Sequence, residues 1–200
     1  MRILAFESSA KAASVALTED GRLVAEYFEN SGLTHSRTLM QMAADLLRSC
    51  DVAPEGVDAV AVAAGPGSFT GVRIGVAAAK GFAWGREIPC FGVSTLEAMA
   101  FAAGRARGLL CAVMDARRGE VYNALFDAAP DGPVRRTPDR AISLAQLGEE
   151  LKNIEKEKIV LGDGGLLCYT TLSGQVEDLC LLPEHLRQQR ASGVALAAER

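Results

Sequence analysis

The chain has 200 residues, 49% of them apolar, with 20 glycines, 7 prolines and a formal net charge of −4; this is the composition of an ordinary soluble protein of one domain or two small lobes. So mild an acidity excludes gripping a polyanion by net charge, and nucleic acid is not expected as a sole partner. No apolar run approaches the roughly 20 residues that span a bilayer, and "MRILAFESS" reaches an acid, Glu7, before a signal-peptide core could form, so a cytoplasmic protein with no membrane contact is expected.

In chain order, "RILAFESS" reads as a buried strand with Glu7 at its C-terminal end. "ASVALTED" and "GRLVAEYFEN" flank Asp20-Gly21, a hairpin signal. From Thr34 to Asp51 the pattern is helical, with Leu39, Ala43, Leu46, Leu47 and Cys50 on one face. "VDAVAVAAG" is a second buried strand; the stretch "GPGSFTGVRIG" (65–75) follows and leads into a helix from about Val72 to Gly85. "IPCFGVS" is a strand, and "TLEAMAFAAG" a short helix capped by Thr95. The second half restarts with the strands "GLLCAVMDA" and "EVYNALFD". A turn containing Pro and Gly leads to a helix near Ser143 to Lys152, the strand "KIVLGD" and helical material towards the C-terminus. Strands alternating with helices define an α/β protein. The five cysteines, Cys50, Cys90, Cys111, Cys168 and Cys180, are scattered without a C-x-x-C, and read as reduced core thiols rather than a zinc site or a dithiol.

The two halves echo each other. "ILAFESSAKAASVALTED" and "LCAVMDARRGEVYNALFDA" share an apolar strand, an acid at its end (Glu7, Asp115), a small polar turn and a second strand. Two lobes built on one hairpin resemble the actin-like ATPase and sugar-kinase superfamily; two ordinary buried hairpins would look the same.

The glycine-rich stretch 65–75 is not a P-loop, because Val72-Arg73 stands where Gly-Lys is needed. The dinucleotide fingerprint requires glycine at Thr70 and an acid ending the next strand, whereas "IPCFGVS" ends in serine. The helix behind it, "VRIGVAAAKGFAWG", carries only Arg73 and Lys80 as charges, and the rest of its circumference is small or apolar. Such a helix is buried nearly all round, and its Gly and Ala allow close approach. Either a partner covers the surplus, or the helix from Thr34 to Asp51 covers it within the lobe; Met40 and Met42 on that helix add to the apolar surface.

Little chemistry remains. The two histidines, His35 and His185, lack the context of a triad or a zinc motif, and neither catalytic residues nor a metal site are expected. Glu7, Asp115 and Asp163 could hold magnesium on a nucleotide. Yet ATPases of the superfamily place glycine two residues after the strand-end acid, where this chain has Ser9 and Arg117. "GDGG" (162–165) resembles the superfamily's adenosine-contacting loop, and equally reads as a strand-to-helix turn.

Together "ILAFESSAKAASVAL", "HSRTLMQMAADLL", "VAVAAGPGSFTGVRIGVAAAKGFAWGREIPCFGVSTLEAMA" and "MDARRGEVY" resemble the TsaB (YeaZ-like) family of tRNA threonylcarbamoyladenosine biosynthesis, over most of residues 2–126 and more loosely beyond. The resemblance implies a two-lobed actin-like fold with duplicated mixed-sheet lobes. Residues 1–106 would form the lobe bearing the partner helices and 107–200 the second, with the last helix packing back on the first. It implies a non-catalytic subunit that pairs with the transferase TsaD, works with the ATPase TsaE, forms a homodimer when alone and meets tRNA only through the complex. No cofactor of its own is implied; ATP and Mg would be used by the complex. The partner surface would comprise Leu39, Met40, Ala43, Leu47, Ile74, Gly75, Ala78, Ala79 and Phe82, and a degenerate nucleotide cleft would retain Glu7, Asp115, Asp163 and Gly164. Two departures stand out. Glu7-Ser8-Ser9 replaces the usual Asp-Thr-Ser, and the family runs further than Arg200, so a shortened C-terminus is expected. The rival expectations are an active ATPase or small-molecule kinase of the superfamily, or a peptidase.

Overall fold

Strands β1 (Arg2–Glu7), β2 (Ala13–Glu19) and β3 (Arg22–Glu29) form an antiparallel meander. Asp20 and Gly21 turn it with φ of 48° and 74°, the left-handed pair that a two-residue hairpin needs. Helix α1 (His35–Ser49) leads to β4 (Ala59–Ala63), which pairs parallel with β1. Helix α2 (Phe69–Trp84) leads to β5 (Cys90–Val93), parallel to β4. The first sheet therefore runs β3-β2-β1-β4-β5.

The period-two pattern sorts its side chains. Leu4, Phe6, Val60 and Val62 join Leu39, Leu46, Leu47 and Phe82 of α1 and α2 in one core. Ile3, Ala5, Ala59, Ala61 and Ala63 face the other way, against Ala191, Val194 and Ala195 of α7 (Ala191–Ala198). Alanines on that face let α7 lie close. Its N-terminus has no cap of its own, so the sheet supplies one: Ala191 N–H donates to Ser14 Oγ at 2.6 Å and Ser192 N–H to Glu26 Oε1 at 2.9 Å.

The second sheet repeats the plan. β6 (Leu109–Arg117) and β7 (Glu120–Asp127) are the hairpin; β8 (Val134–Arg135) and β9 (Arg140–Ser143) both pair with β7. Helix α4 (Leu144–Lys152) precedes β10 (Lys158–Leu161), parallel to β6. Helix α5 (Gly165–Leu172) precedes β11 (Leu179–Leu181), parallel to β10, and the short α6 (Glu184–Arg187) follows. Leu109, Cys111, Val113 and Val160 pack with Leu147 and Leu151 of α4 and with Cys168 and Leu172 of α5.

This computed structural model describes residues 1–104 and 107–200. They divide into two units, Met1–Ala98 with Gln189–Arg200, and Met99–Gln188. The lobe boundary expected at residue 106 lies outside the described residues; the division falls inside α3 (Thr95–Ala102).

Four sequence expectations need correction. Helix α2 starts at Phe69 rather than Val72, because the Ser68 side chain accepts the Gly71 N–H and caps it there. Thr95 is the first residue of α3, not its cap; Ser94 Oγ accepts the Glu97 N–H at 3.2 Å. Of the cysteines only Cys111 and Cys168 are core thiols, with Cys50 half-buried and Cys90 and Cys180 exposed on the strands β5 and β11. Strands β8, β9 and β11 are too short to carry a period and went unanticipated.

Helix α2 yields a paired prediction from its glycines. A Cβ on Gly71 would overlap the Ser8 carbonyl oxygen, whereas one on Gly81 meets nothing within 4 Å. Gly71→Ala is therefore expected to destabilise by roughly 1–3 kcal/mol and Gly81→Ala to stabilise by up to about 1 kcal/mol, read as opposite shifts in thermal melts.

Candidate functional site

Backbone donors within the stretch 65–75 are engaged by the chain itself. Ser68 N–H donates to Ser9 O at 2.6 Å and Gly71 N–H to Ser68 Oγ at 3.3 Å. Ser8 Oγ donates to Gly71 O at 2.9 Å, and a Cβ on Gly75 would overlap that same Ser8 hydroxyl. The glycines seat α2 on the end of β1.

That seat decides where the expected partner residues lie. Leu39, Gly75 and Ala79 are buried inside the first unit, and Ile74 and Ala78 pack partly buried against the same core. Ala43, Leu47 and Phe82 are also buried, but they floor a groove of about 280 Å³ between α1 and α2, edged by Met40, Pro54 and Gly81. Arg86 closes over it, its guanidinium 4.1 Å from the Phe82 ring centre and donating to Phe82 O. Of the nine residues only Met40, at 45% exposure, stands clear of the core.

The free face of α2 is different from the one expected. Phe69, Arg73, Ala77, Lys80 and Trp84 recur at spacings of four, four, three and four residues, so they share one side. All five are exposed, Phe69 to 74% and Trp84 to 88%. Arg73 stacks on Phe69, 5.1 Å from the ring centre. Sequence reasoning missed this stripe because a helix begun at Val72 omits Phe69; a helical wheel drawn from the Ser68 cap would have shown it.

The strand-end acids make the same contact in both units. Glu7 Oε1 accepts Ser9 N–H at 2.6 Å, and Asp115 Oδ1 accepts Arg117 N–H at 2.7 Å. Glu7 is fully buried and Asp115 exposed. In each case the N–H that would approach a phosphate is already committed to the acid. Asp115 and Gly164 are brought together: a Cβ on Gly164 would sit 2.8 Å from Asp115 N, so "GDGG" requires glycine where α5 seats on β6, as α2 seats on β1. Asp163 beside it is exposed.

Two mixed sheets built to one plan, each with an acid ending its first strand, place the chain in the actin-like ATPase and sugar-kinase fold class. The same fold is seen in the ethanolamine utilization protein EutJ of Carboxydothermus hydrogenoformans, with a TM-score of 0.55 at 14% identity over 98% of this chain and 90% of that one. The match is much nearer to YeaZ of Pseudomonas aeruginosa, with a TM-score of 0.79 at 28% identity over 99% of this chain and 91% of that one. The family model described as "TsaD: tRNA N6-adenosine threonylcarbamoyltransferase" matches residues 29–155. The tRNA threonylcarbamoyladenosine biosynthesis protein TsaB of Bacillus subtilis is 38% identical over 162 residues, 81% of this chain and 71% of the relative. Its Escherichia coli counterpart is 38% identical over 167 residues, 82% and 72%. The chain belongs to the TsaB (YeaZ-like) family.

Core and free face predict different costs. Phe82→Ala and Leu47→Ala should each destabilise by about 2–5 kcal/mol, whereas Phe69→Ser and Trp84→Ser should stay within about 0.5 kcal/mol of wild type in denaturant melts.

Proposed function

We propose that the chain is a non-catalytic subunit of the complex that makes tRNA threonylcarbamoyladenosine, pairing with the transferase TsaD through α2 and the adjoining groove on α1. The observation that carries this reading is the bare stripe from Phe69 to Trp84. Two large aromatic side chains at the ends of one helix face, 74% and 88% exposed with Arg73 stacked on the first, are what an interface centre is made of. The names of the Bacillus and Escherichia relatives support the pathway. The transferase family model matching residues 29–155 supports a common fold for the two chains, and on this reading their similar surfaces meet about a pseudo-two-fold axis. In the isolated chain a second copy covers the same face and a homodimer forms.

On this reading ATP and Mg are used by TsaD and TsaE, and the chain reaches tRNA through the complex, in the cytoplasm. No described helix is long and apolar enough to cross a membrane. The contacts of Glu7 and Asp115 with the backbone of their own turns support strand ends that hold no nucleotide.

Ala77 lies at the centre of the stripe, so Ala77→Glu should weaken TsaD capture at least tenfold and disperse the homodimer, with an unchanged melt. An unburied carboxylate costs nothing in the free chain, whereas a paired one would be stranded in the interface. Ala78→Glu should instead lower the melting temperature, since Ala78 packs on its own core. Normal capture by folded Ala77→Glu protein would show that α2 is not the interface.

The purified chain alone is expected to release phosphate from ATP only at the background rate. Turnover that Asp115→Ala abolishes would establish the ATPase or kinase reading in its place.

A further inference from the structure

The two hairpins solve the same turn with different residues. Asp20-Gly21 suits its left-handed backbone, but the β6–β7 hairpin places Arg117 and Arg118 at φ of 69° and 55° before Gly119 at 81°. Glycine, asparagine and aspartate favour those positions, and arginine does not. A register shift between Asp115 and Arg117 adds to the irregularity. The turn is nonetheless fixed from both sides, by Asp115 Oδ1 on Arg117 N–H and by Leu144 N–H on Gly119 O at 3.3 Å. Both arginines are exposed, and among the described residues neither forms an ion pair, although Glu120 stands opposite Arg117 across the ladder. Most of the other described arginines are engaged, as with Arg140 on Glu150 and Arg190 on Glu26. A local rule broken twice in succession, on a rigid turn that holds two unengaged guanidinium groups outward, marks a site kept for a ligand.

We infer that the β6–β7 tip, through Arg117 and Arg118, contacts the phosphate backbone of the RNA substrate within the assembled complex. The inference rests on the proposed function, which supplies the RNA. Guanidinium forks bind phosphate oxygens bidentately. Two guanidinium groups on a backbone held in place add a local grip that a chain of net charge −4 lacks overall, which fits RNA contact only in the complex. Asp115 is committed to Arg117 N–H, leaving Glu120 as the facing acid that tempers the grip.

The test is the double variant Arg117→Gly/Arg118→Gly, because glycine removes both forks while suiting the backbone, so the melting temperature holds or rises. Arg118→Asn, which tolerates the same φ, gives a second, milder variant. Each is assembled with TsaD, and binding of an unmodified tRNA transcript is measured across a salt series. The expected result is intact TsaD capture, roughly tenfold weaker tRNA binding for the double variant, and a log–log salt slope shallower by roughly two. Unchanged tRNA affinity and slope in an intact complex would overturn the inference and leave the proposed function standing. Loss of TsaD capture with tRNA binding preserved would also overturn it, making the tip a protein contact. A wild-type chain that captures no TsaD would overturn the proposed function, and this inference with it.

Discussion

The first unit depends on one close approach, the seating of α2 on the end of β1. Gly71 and Gly75 lie one turn apart on the same face, and Ser8 fills the space where their side chains would be. Because the contact is with backbone as well as side chain, the helix cannot rotate to bury a different face. Everything else on α2 follows by angle. Ala79 and Phe82, near the glycines on the wheel, enter the core, and Phe69, Arg73, Lys80 and Trp84, on the far side, are left in solvent. A glycine pair that looks like a phosphate loop is thus a rotational lock, and the aromatic face is its consequence.

The same device recurs in the second unit with different residues. Gly164 sits against Met114 and Asp115 where α5 follows β10, as Gly71 sits against Ser8 where α2 follows β4. In both units the acid ending the first strand draws in the N–H two residues on. The contact is the same although the residue that donates is serine in one unit and arginine in the other. In each unit that hydrogen bond closes the turn that follows the strand.

Most of the fold was legible because its signals are local. The short apolar runs of β1, β2 and β6, the Asp-Gly hairpin and the repeated acid-ended strand each lie within a few residues, and duplication follows from comparing two such stretches. The site was less legible, for a physical reason. An apolar helix announces that it is buried, but not which arc is buried, and that is set by Gly71 meeting Ser8 across 63 residues of sequence. Placing the start of α2 three residues late removed Phe69 from consideration, and the five expected partner residues on α2 fell on the core side. Ser94 taking the capping role from Thr95 is a smaller case of the same kind, since either residue type caps and only the backbone path decides. The strained tip at Arg117 and Arg118 could be read from sequence only as a departure from the superfamily's glycine.

The free face of α2 also has a particular chemistry, and it constrains what can pair with it. Its two charges are both basic in a chain that is acidic overall, and Arg73 is held against Phe69 rather than drawn to an acid of its own chain. Burying Phe69 and Trp84 supplies most of the association energy in such a face, since aromatic anchors at interfaces outweigh rim charges. Arg73 and Lys80 do something else. Desolvated without a counter-charge they would offset part of what the aromatics return, so on the proposed pairing carboxylates opposite them strengthen the contact. A second copy meeting the stripe about a two-fold axis brings its own Arg73 and Lys80 and no acid from the same face, whereas a different chain of the same fold can place acids there. On the proposed function, a homodimer formed through this face is therefore expected to be weaker than a pairing with a chain that presents acids to it.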